Sequence, residues 1–162
     1  MVNISKRYKN LPLREGVGII LLNEKNKIFV GKRIDNPNDY WQMPQGGIDK
    51  GENSYKAALR ELEEETGIKN VSLIKEINGF VSYNLPNNLL GIIWKGKYKG
   101  QKQKWFIMKF TGKESEINIS TNKPEFSDWK WINPETITDK VVDFKLDVYK
   151  KLKAEIQKVI SN

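Results

Sequence analysis

Three glutamates that share one short segment constrain this chain more than any other feature of its sequence. Glu61, Glu64 and Glu65 lie between Ser54, a residue type that favours helix N-caps, and Gly67, which is well placed to end a helix. In a helix, spacings of three and four put these carboxylates on one face. Like charges so placed cost roughly 0.2–0.5 kcal/mol per pair, and the helix dipole disfavours anions in the last turns. We interpret the cluster as a cation site rather than as a solvated acidic face.

Two residue types are absent from the sequence, and their absence excludes several kinds of chemistry. The 162 residues include no cysteine and no histidine. This excludes disulfides, zinc sites built from Cys and His, cysteine nucleophiles, Ser-His-Asp triads and phosphohistidine intermediates. Acid–base work then falls to Asp, Glu, Lys or Tyr. A protein-bound metal must take oxygen ligands, which favours Mg²⁺ or Mn²⁺.

Charge is spread unevenly along the chain. The net charge is +8, yet the segment 46–68 is acidic. A basic body around an acidic centre suits a polyanionic substrate that meets a cation. Charge alone supports equally well a basic surface that serves only solubility, combined with a coding bias towards lysine and asparagine.

The remaining sequence predicts one α+β domain over residues 1–162, because strands and helices mix without regular alternation. No run of about 18 apolar residues occurs, and the N-terminus lacks the apolar region of a signal peptide. We therefore expect no membrane partner and a cytoplasmic location.

The predicted elements are a hairpin of strands 17–22 and 27–31, a loop over 32–45, a helix over 54–66, strands at 71–83, 90–95, 103–111 and 129–132, and a terminal helix over 141–160.

The acidic segment resembles the Nudix box, Gly-x5-Glu-x7-Arg-Glu-U-x-Glu-Glu-x-Gly-U, in which U is bulky and aliphatic. The resemblance implies a mixed β-sheet sandwiched between α-helices. It also implies hydrolysis of a nucleoside diphosphate linked to another moiety, with Mg²⁺ or Mn²⁺ and no organic cofactor. The nine fixed positions are occupied without departure by Gly46, Glu52, Arg60, Glu61, Leu62, Glu64, Glu65, Gly67 and Ile68.

The same resemblance implies a role for each polar residue of the box. Glu52 is expected to form an ion pair with Arg60 and so hold the loop to the helix. Glu125, in a later loop, is expected to complete the metal site or to position water. Which of Glu61, Glu64 and Glu125 takes the proton from water stays open. The expected metal ligands are Gly46, through its carbonyl, with Glu61, Glu64, Glu65 and Glu125, and the expected catalytic residues are Arg60, Glu61, Glu64 and Glu125.

Five further segments resemble bacterial RNA pyrophosphohydrolases, which are also described as dinucleoside polyphosphate hydrolases. They are WQMPQGG at 41–47, SYNLP at 82–86, GQKQKWF at 100–106, PEFSDWKW at 124–131 and VVDFKLDVYKKL at 141–152. The resemblance implies conversion of a 5′-triphosphate or diphosphate RNA end to a 5′-monophosphate, which initiates mRNA decay. Alternatives are a diadenosine polyphosphate hydrolase, an enzyme that removes damaged nucleoside triphosphates, and a nucleotide- or RNA-binding module without catalysis.

Substrate contacts outside the box are also implied by this resemblance. Arginine suits phosphate and base alike through its planar fork, and Phe144 is either plain core or a base-stacking residue. The lysines of KGKYKGQKQK are expected to meet no acid, and they either follow an RNA backbone or protect a solvated edge strand. They are Lys95, Lys97, Lys99, Lys102 and Lys104. Two segments depart from the pattern: LLGIIWKGKYK at 89–99 stands where a more arginine-rich stretch is expected, and the loop at 34–40 is longer. The expected substrate-binding residues are Arg14, Arg33, Gln45, Tyr83, Lys104, Phe144 and Lys145.

Overall fold

The computed structural model, which describes residues 8–161, contains one mixed sheet with a helix on each face. This confirms the expected α+β class with a mixed sheet between helices. In the described part of the chain the strands are β1 (Leu13–Leu22), β2 (Ile28–Arg33), β3 (Trp41–Gln42), β4 (Gln45–Gly47), β5 (Val71–Glu76), β6 (Val81–Asn84), β7 (Gly100–Phe110) and β8 (Phe126–Ile132), and the longer helices are α1 (Ser54–Thr66) and α2 (Leu146–Ile160).

Strand β1 lies at the centre of the sheet. It runs parallel to β7 over ten residue pairs and antiparallel to β2 and β4. On one side β2 pairs with β3 and β8, and on the other β7 pairs with β5 and β6. The predicted hairpin is confirmed as the β1–β2 pair.

Alternate residues of the central strands belong to two separate hydrophobic cores, because successive side chains of a strand point to opposite faces. On one face Ile20 and Trp105 belong to a buried cluster that includes Leu152 of α2. On the other face Ile19 and Phe106 pack with Leu62 of α1 and its neighbours. Burial of an apolar side chain of this size contributes about 1.5–3 kcal/mol, so the sheet fixes both helices firmly.

Helix α1 has the predicted span but a different N-cap. The side chain of Asn53 accepts hydrogen bonds from the backbone N–H groups of Tyr55 and Lys56, at 3.0 and 3.1 Å. Ser54, the predicted cap, is instead the first helical residue. Gly67 ends the helix as expected, in the left-handed conformation, and its N–H donates to the Glu63 carbonyl at 2.8 Å.

Several predicted boundaries are wrong. The strand predicted at 71–83 is two strands, separated by a turn at Gly79 with φ of 74°. The strand predicted at 90–95 is absent, because Trp94 and Lys95 have positive φ and a 3-10 turn spans Ile93–Gly96. The loop predicted at 32–45 holds β3 and the start of β4.

The terminal helix begins five residues later than predicted. Val142 is extended, with φ of −62° and ψ of 142°, and a 3-10 turn follows over Asp143–Lys145. Within residues 8–161, no helix is both long and apolar enough to cross a membrane. The expectation about a signal peptide concerns in part residues 1–7, which lie outside the described residues.

Candidate active site

A cleft of about 660 Å³ opens on the sheet face that carries α2, at the end where the Gly46–Gly47 backbone meets β1. Its walls come from the loops that follow β2 and β6, from strands β3 and β4, and from the turn that precedes α2. Nine of the residues singled out from the sequence line it: Arg14, Arg33, Gln45, Gly46, Glu61, Tyr83, Glu125, Phe144 and Lys145.

Arg60 organises the carboxylates of helix α1. Its guanidinium donates two hydrogen bonds of 2.9 Å to the carboxylate of Glu52 and one of 2.9 Å to the carbonyl of Gly47. A third nitrogen donates to Glu61 at 2.9 Å and to Glu64 at 3.2 Å. The Arg60 guanidinium, together with the backbone N–H of Asp49, lowers the pKa of Glu52 to about 2. The predicted Glu52–Arg60 pair is present. The bond from Arg60 to Gly47 ties the Gly46–Gly47 backbone, which we call the glycine loop, to the helix.

Glu61 lies against the glycine loop. Its side chain is 14% exposed, and a Cβ on Gly46 would overlap its carboxyl group. Gly46 is therefore required for close approach of backbone and carboxylate. Burial raises the pKa of Glu61 to about 7, against the opposing effect of Arg60.

Glu65 is the most unusual side chain of the helix. It is 2% exposed, and neither carboxylate oxygen has a hydrogen-bond partner among the described residues. Burial raises its pKa well above the usual range, and the neighbouring carboxylate of Glu125 raises it further, with a smaller effect from Glu61. A buried carboxylate without a partner is costly unless it is paired or coordinates a metal.

Glu65 and the two acids that act on its pKa, Glu125 and Glu61, carry only oxygen donors, which hard divalent cations prefer. Over residues 8–161, no three acidic side chains are close enough to hold a metal as they stand. Arg60 holds Glu61 and Glu64, and Arg33 contacts Glu125 at 3.6 Å. The unpartnered oxygens of Glu65 nevertheless fit a cation, which would compete with these arginines for the other carboxylates.

Arg33 and Glu125 are brought together at the edge of the cleft. The backbone N–H of Ile34 donates to the carbonyl of Glu125 at 2.9 Å, which ties the loop before β8 to the end of β2. The Arg33 guanidinium also donates twice to Asp35, at 2.8 Å each. Arg33 lines the cleft together with both acids, so an anion that binds its guanidinium must compete with Asp35 and Glu125.

A second arginine is positioned by the buried amide of Gln101. Arg14 donates to Gln101 at 2.9 Å, and Gln101 donates in turn to the hydroxyl of Tyr83 at 2.8 Å. A Cβ on Gly47 would overlap the Arg14 guanidinium. Arg14 thus faces the same glycine loop as Glu61, from the opposite side.

The far wall of the cleft combines aromatic rings with a buried lysine. The rings of Tyr83 and Phe144 lie 5.6 Å apart, and the Lys145 ammonium lies within 6 Å of both. Lys145 donates to Gln42 at 3.4 Å. Burial lowers the pKa of Lys145 to about 8, and Arg33 lowers it further.

Lys104 is the predicted substrate-binding residue that does not line the cleft. Gln103 and Trp105 point to the cleft side, so Lys104 between them points to the α1 side. The expectation that Lys102 and Lys104 meet no acid is wrong, since Lys102 pairs with Glu15 at 3.5 Å and Lys104 with Glu76 at 3.4 Å.

Sequence reasoning missed several residues of the cleft and its support, among them Gln42, Trp94, Gln101 and Gln103. Gln101 and Gln103 are fully buried amides, and Gln103 donates to Gln45 at 3.1 Å. Gln42 and Trp94 line the cleft directly. The two glutamines that alternate with lysines in GQKQKW were a usable signal, because alternation in a strand places amides on one face. Nothing comparable marked Trp94.

Known proteins resemble this chain along most of its length. Residues 12–152 match the model of the NUDIX domain family. An RNA pyrophosphohydrolase of Pelagibacter ubique (strain HTCC1062) is 66% identical over 158 residues, which is 98% of this chain and 100% of that protein.

Two solved structures share the fold at low sequence identity. The dihydroneopterin triphosphate pyrophosphohydrolase of E. coli is 19% identical with a TM-score of 0.70, over 93% of this chain and 99% of that one. An Ap4A hydrolase of C. elegans, in a binary complex, is 18% identical with a TM-score of 0.65, over 90% of this chain and 99% of that one.

Proposed function

Because the chain belongs to the NUDIX family, we propose that it removes phosphates from the 5′-triphosphate or diphosphate end of RNA. The product is a 5′-monophosphate end, whose formation would initiate mRNA decay. The observation that carries the proposal is the buried, unpartnered carboxylate of Glu65, beside a cleft that two arginines enter. Support for RNA as the substrate comes from the relative that shares 66% of its residues over nearly the whole chain.

As a NUDIX hydrolase the protein depends on a divalent cation, and we assign Mg²⁺, with Mn²⁺ as a substitute. Glu61, Glu64, Glu65 and Glu125 would hold it, together with the carbonyl of Gly46. The absence of His and Cys leaves oxygen ligands alone, which suits a hard cation. Bound there, the cation would neutralise phosphate oxygens and make water more acidic.

The chain's own residues supply orientation and proton transfer. Arg14 and Arg33 would hold phosphate oxygens by charge-assisted hydrogen bonds. Arg60 would keep the carboxylates of Glu61 and Glu64 aimed at the glycine loop. One of three carboxylates, Glu61, Glu64 or Glu125, would take the proton of the attacking water. Water attacks the phosphorus directly, so no covalent intermediate forms.

Hydrolysis of dinucleoside polyphosphates is the second candidate. The cleft of about 660 Å³ has room for more than one nucleotide, and aromatic rings line it at two places, Tyr83 with Phe144 and Trp94. The fold neighbour from C. elegans is named for such a substrate. The same metal site serves both reactions, so only a comparison of substrates separates them.

Hydrolysis of three substrates side by side tests the proposal. We expect triphosphorylated RNA to be cleaved faster than diadenosine tetraphosphate or free nucleoside triphosphates, and a chelator to stop the reaction. Glu64→Gln should lose about 10²–10⁴-fold in turnover, the usual contribution of a general base or its equivalent, while it melts like the wild type. Fastest cleavage of diadenosine tetraphosphate would favour the second candidate, and fastest cleavage of free nucleotides would contradict both.

A further inference from the structure

The connection between β6 and β7 forms a wall of the cleft that takes no part in the proposed metal and phosphate contacts. Leu89, Ile93 and Trp94 of this connection line the cleft. Trp94 is half-buried, and its indole meets the ring of Tyr98 edge to face, with centroids 6.1 Å apart. The connection therefore presents a large aromatic surface to whatever enters.

The backbone that carries this ring is strained. Trp94 has φ of 52° and ψ of 35°, and Lys95 has φ of 58° and ψ of 26°. Two consecutive left-handed residues with large side chains are rare, because the Cβ atom crowds the following carbonyl. Strain of this kind persists where the surrounding structure enforces it, and it concentrates at binding sites.

Trp94 lies on one side of Arg14. The far wall of the cleft, with the rings of Tyr83 and Phe144, lies on the other side. The Arg14 guanidinium carbon is 5.2 Å from the centroid of the Trp94 ring. The same guanidinium reaches Tyr83 through the side chain of Gln101. A cation placed between two aromatic surfaces matches a ligand that carries phosphate between two bases, since bases stack on aromatic rings and phosphate pairs with arginine.

We propose that Trp94 is a base-stacking residue, so that the cleft holds two nucleobases on either side of the phosphate that Arg14 contacts. This inference rests on the proposed function, which supplies the phosphorylated substrate. Arg14 occupies the face of the indole in the free protein, and a base that takes its place frees the guanidinium for phosphate. Trp94 thereby selects substrates with two bases over substrates with one.

The test compares a ligand with two bases and a ligand with one in the same reaction. The substrate is a 5′-triphosphorylated dinucleotide, whose KM is measured, and the competitor is a nucleoside triphosphate, whose inhibition constant is measured. Trp94→Asn should raise the KM of the dinucleotide by about 10–100-fold, the usual effect of losing one stacked base. The inhibition constant of the nucleotide should change less than about threefold. Trp94→Phe, which keeps a ring, should retain most of the affinity.

The backbone effect is controlled at the neighbouring position. Asn tolerates the left-handed conformation better than Trp, so Trp94→Asn should fold, and its melting temperature serves as the check. Lys95→Gly relieves the same kind of strain at an exposed residue and leaves the ring in place, so its KM should match the wild type. An equal rise for Lys95→Gly would overturn the proposal in favour of backbone strain.

Two further results would also overturn it. Equal weakening of dinucleotide and nucleotide would mean that Trp94 affects binding through Arg14 and does not stack a second base. A wild-type protein that cleaves triphosphorylated RNA, together with a Trp94→Asn variant of unchanged KM, would remove the stacking role and leave the proposed function standing. A wild-type protein inactive on every phosphorylated RNA would overturn the proposed function first.

Discussion

At the scale of single residues, the site depends on which carboxylates Arg60 contacts and which one it does not contact. Arg60 contacts Glu52, Glu61 and Glu64 but not Glu65, which is left buried without a partner among the described residues. The spacing of the glutamates along the helix predicted their common face. The spacing did not predict that Glu65 would be buried away from Arg60, because that burial depends on packing against parts of the chain distant in sequence.

The isolation of Glu65 leads to a test of the metal site. Glu65→Gln should weaken Mg²⁺ binding by more than about 100-fold in isothermal titration, because even outer partners of a metal site contribute about 10–100-fold. The fold should survive, since the amide has nearly the same volume as the carboxylate.

Glu63→Gln is the matched control on the same helix. Glu63 is half-exposed and pairs with Lys69 at 3.4 Å, so its replacement should leave Mg²⁺ affinity unchanged. Full Mg²⁺ binding by Glu65→Gln would contradict the assignment, and so would equal weakening in the two variants.

At the scale of elements, the span of helix α1 could be predicted from the sequence pattern, but its N-cap residue could not. Its length followed from helical spacing between a capping residue and Gly67, and that span is confirmed. The cap itself was wrong by one residue, because Asn53 and Ser54 are both suitable types. Only the backbone distinguishes them: Asn53 is extended, with φ of −69° and ψ of 138°.

The corrected cap gives a prediction about stability. Asn53→Ala removes the acceptor of two backbone N–H groups, so it should lower the free energy of unfolding by about 0.5–2 kcal/mol. Ser54→Ala lies one residue further and should stay within about 0.5 kcal/mol of the wild type. Denaturant titrations of both variants measure the difference, and a larger decrease for Ser54→Ala would restore the original assignment.

Two elements lay beyond the reach of local patterns. The apolar run at 90–95 has the composition of a strand, yet consecutive left-handed residues at Trp94 and Lys95 break it. The apolar period of the last helix continues upstream of Leu146, but Val142 is extended and delays the start. Both departures shape the cleft, since Trp94 and the turn with Phe144 and Lys145 line it. Predictions of local structure from sequence patterns fail most often at functional sites.

At the scale of the whole molecule, basic side chains lie on both faces of the sheet. The cleft lies on the α2 side and contains Arg14 and Arg33. Lys102 and Lys104 lie on the α1 side and are paired with acids. The net charge of +8 therefore does not by itself indicate where RNA binds. Period-two alternation in β7 was visible in the sequence, but the face that each set of side chains occupies required the β1–β7 register.

This separation predicts which charges control salt dependence. Binding of triphosphorylated RNA to the catalytically impaired Glu64→Gln variant should weaken with salt, because phosphate contacts release counterions. Adding Arg14→Gln should lower the slope of log K against log salt by about 0.7 for each phosphate that the protein no longer neutralises. Adding Lys102→Gln should leave the slope unchanged, because Lys102 pairs with Glu15 on the opposite face. If Lys102→Gln lowered the slope as much as Arg14→Gln, RNA would also run across the α1 face, and the lysines would belong to its binding surface.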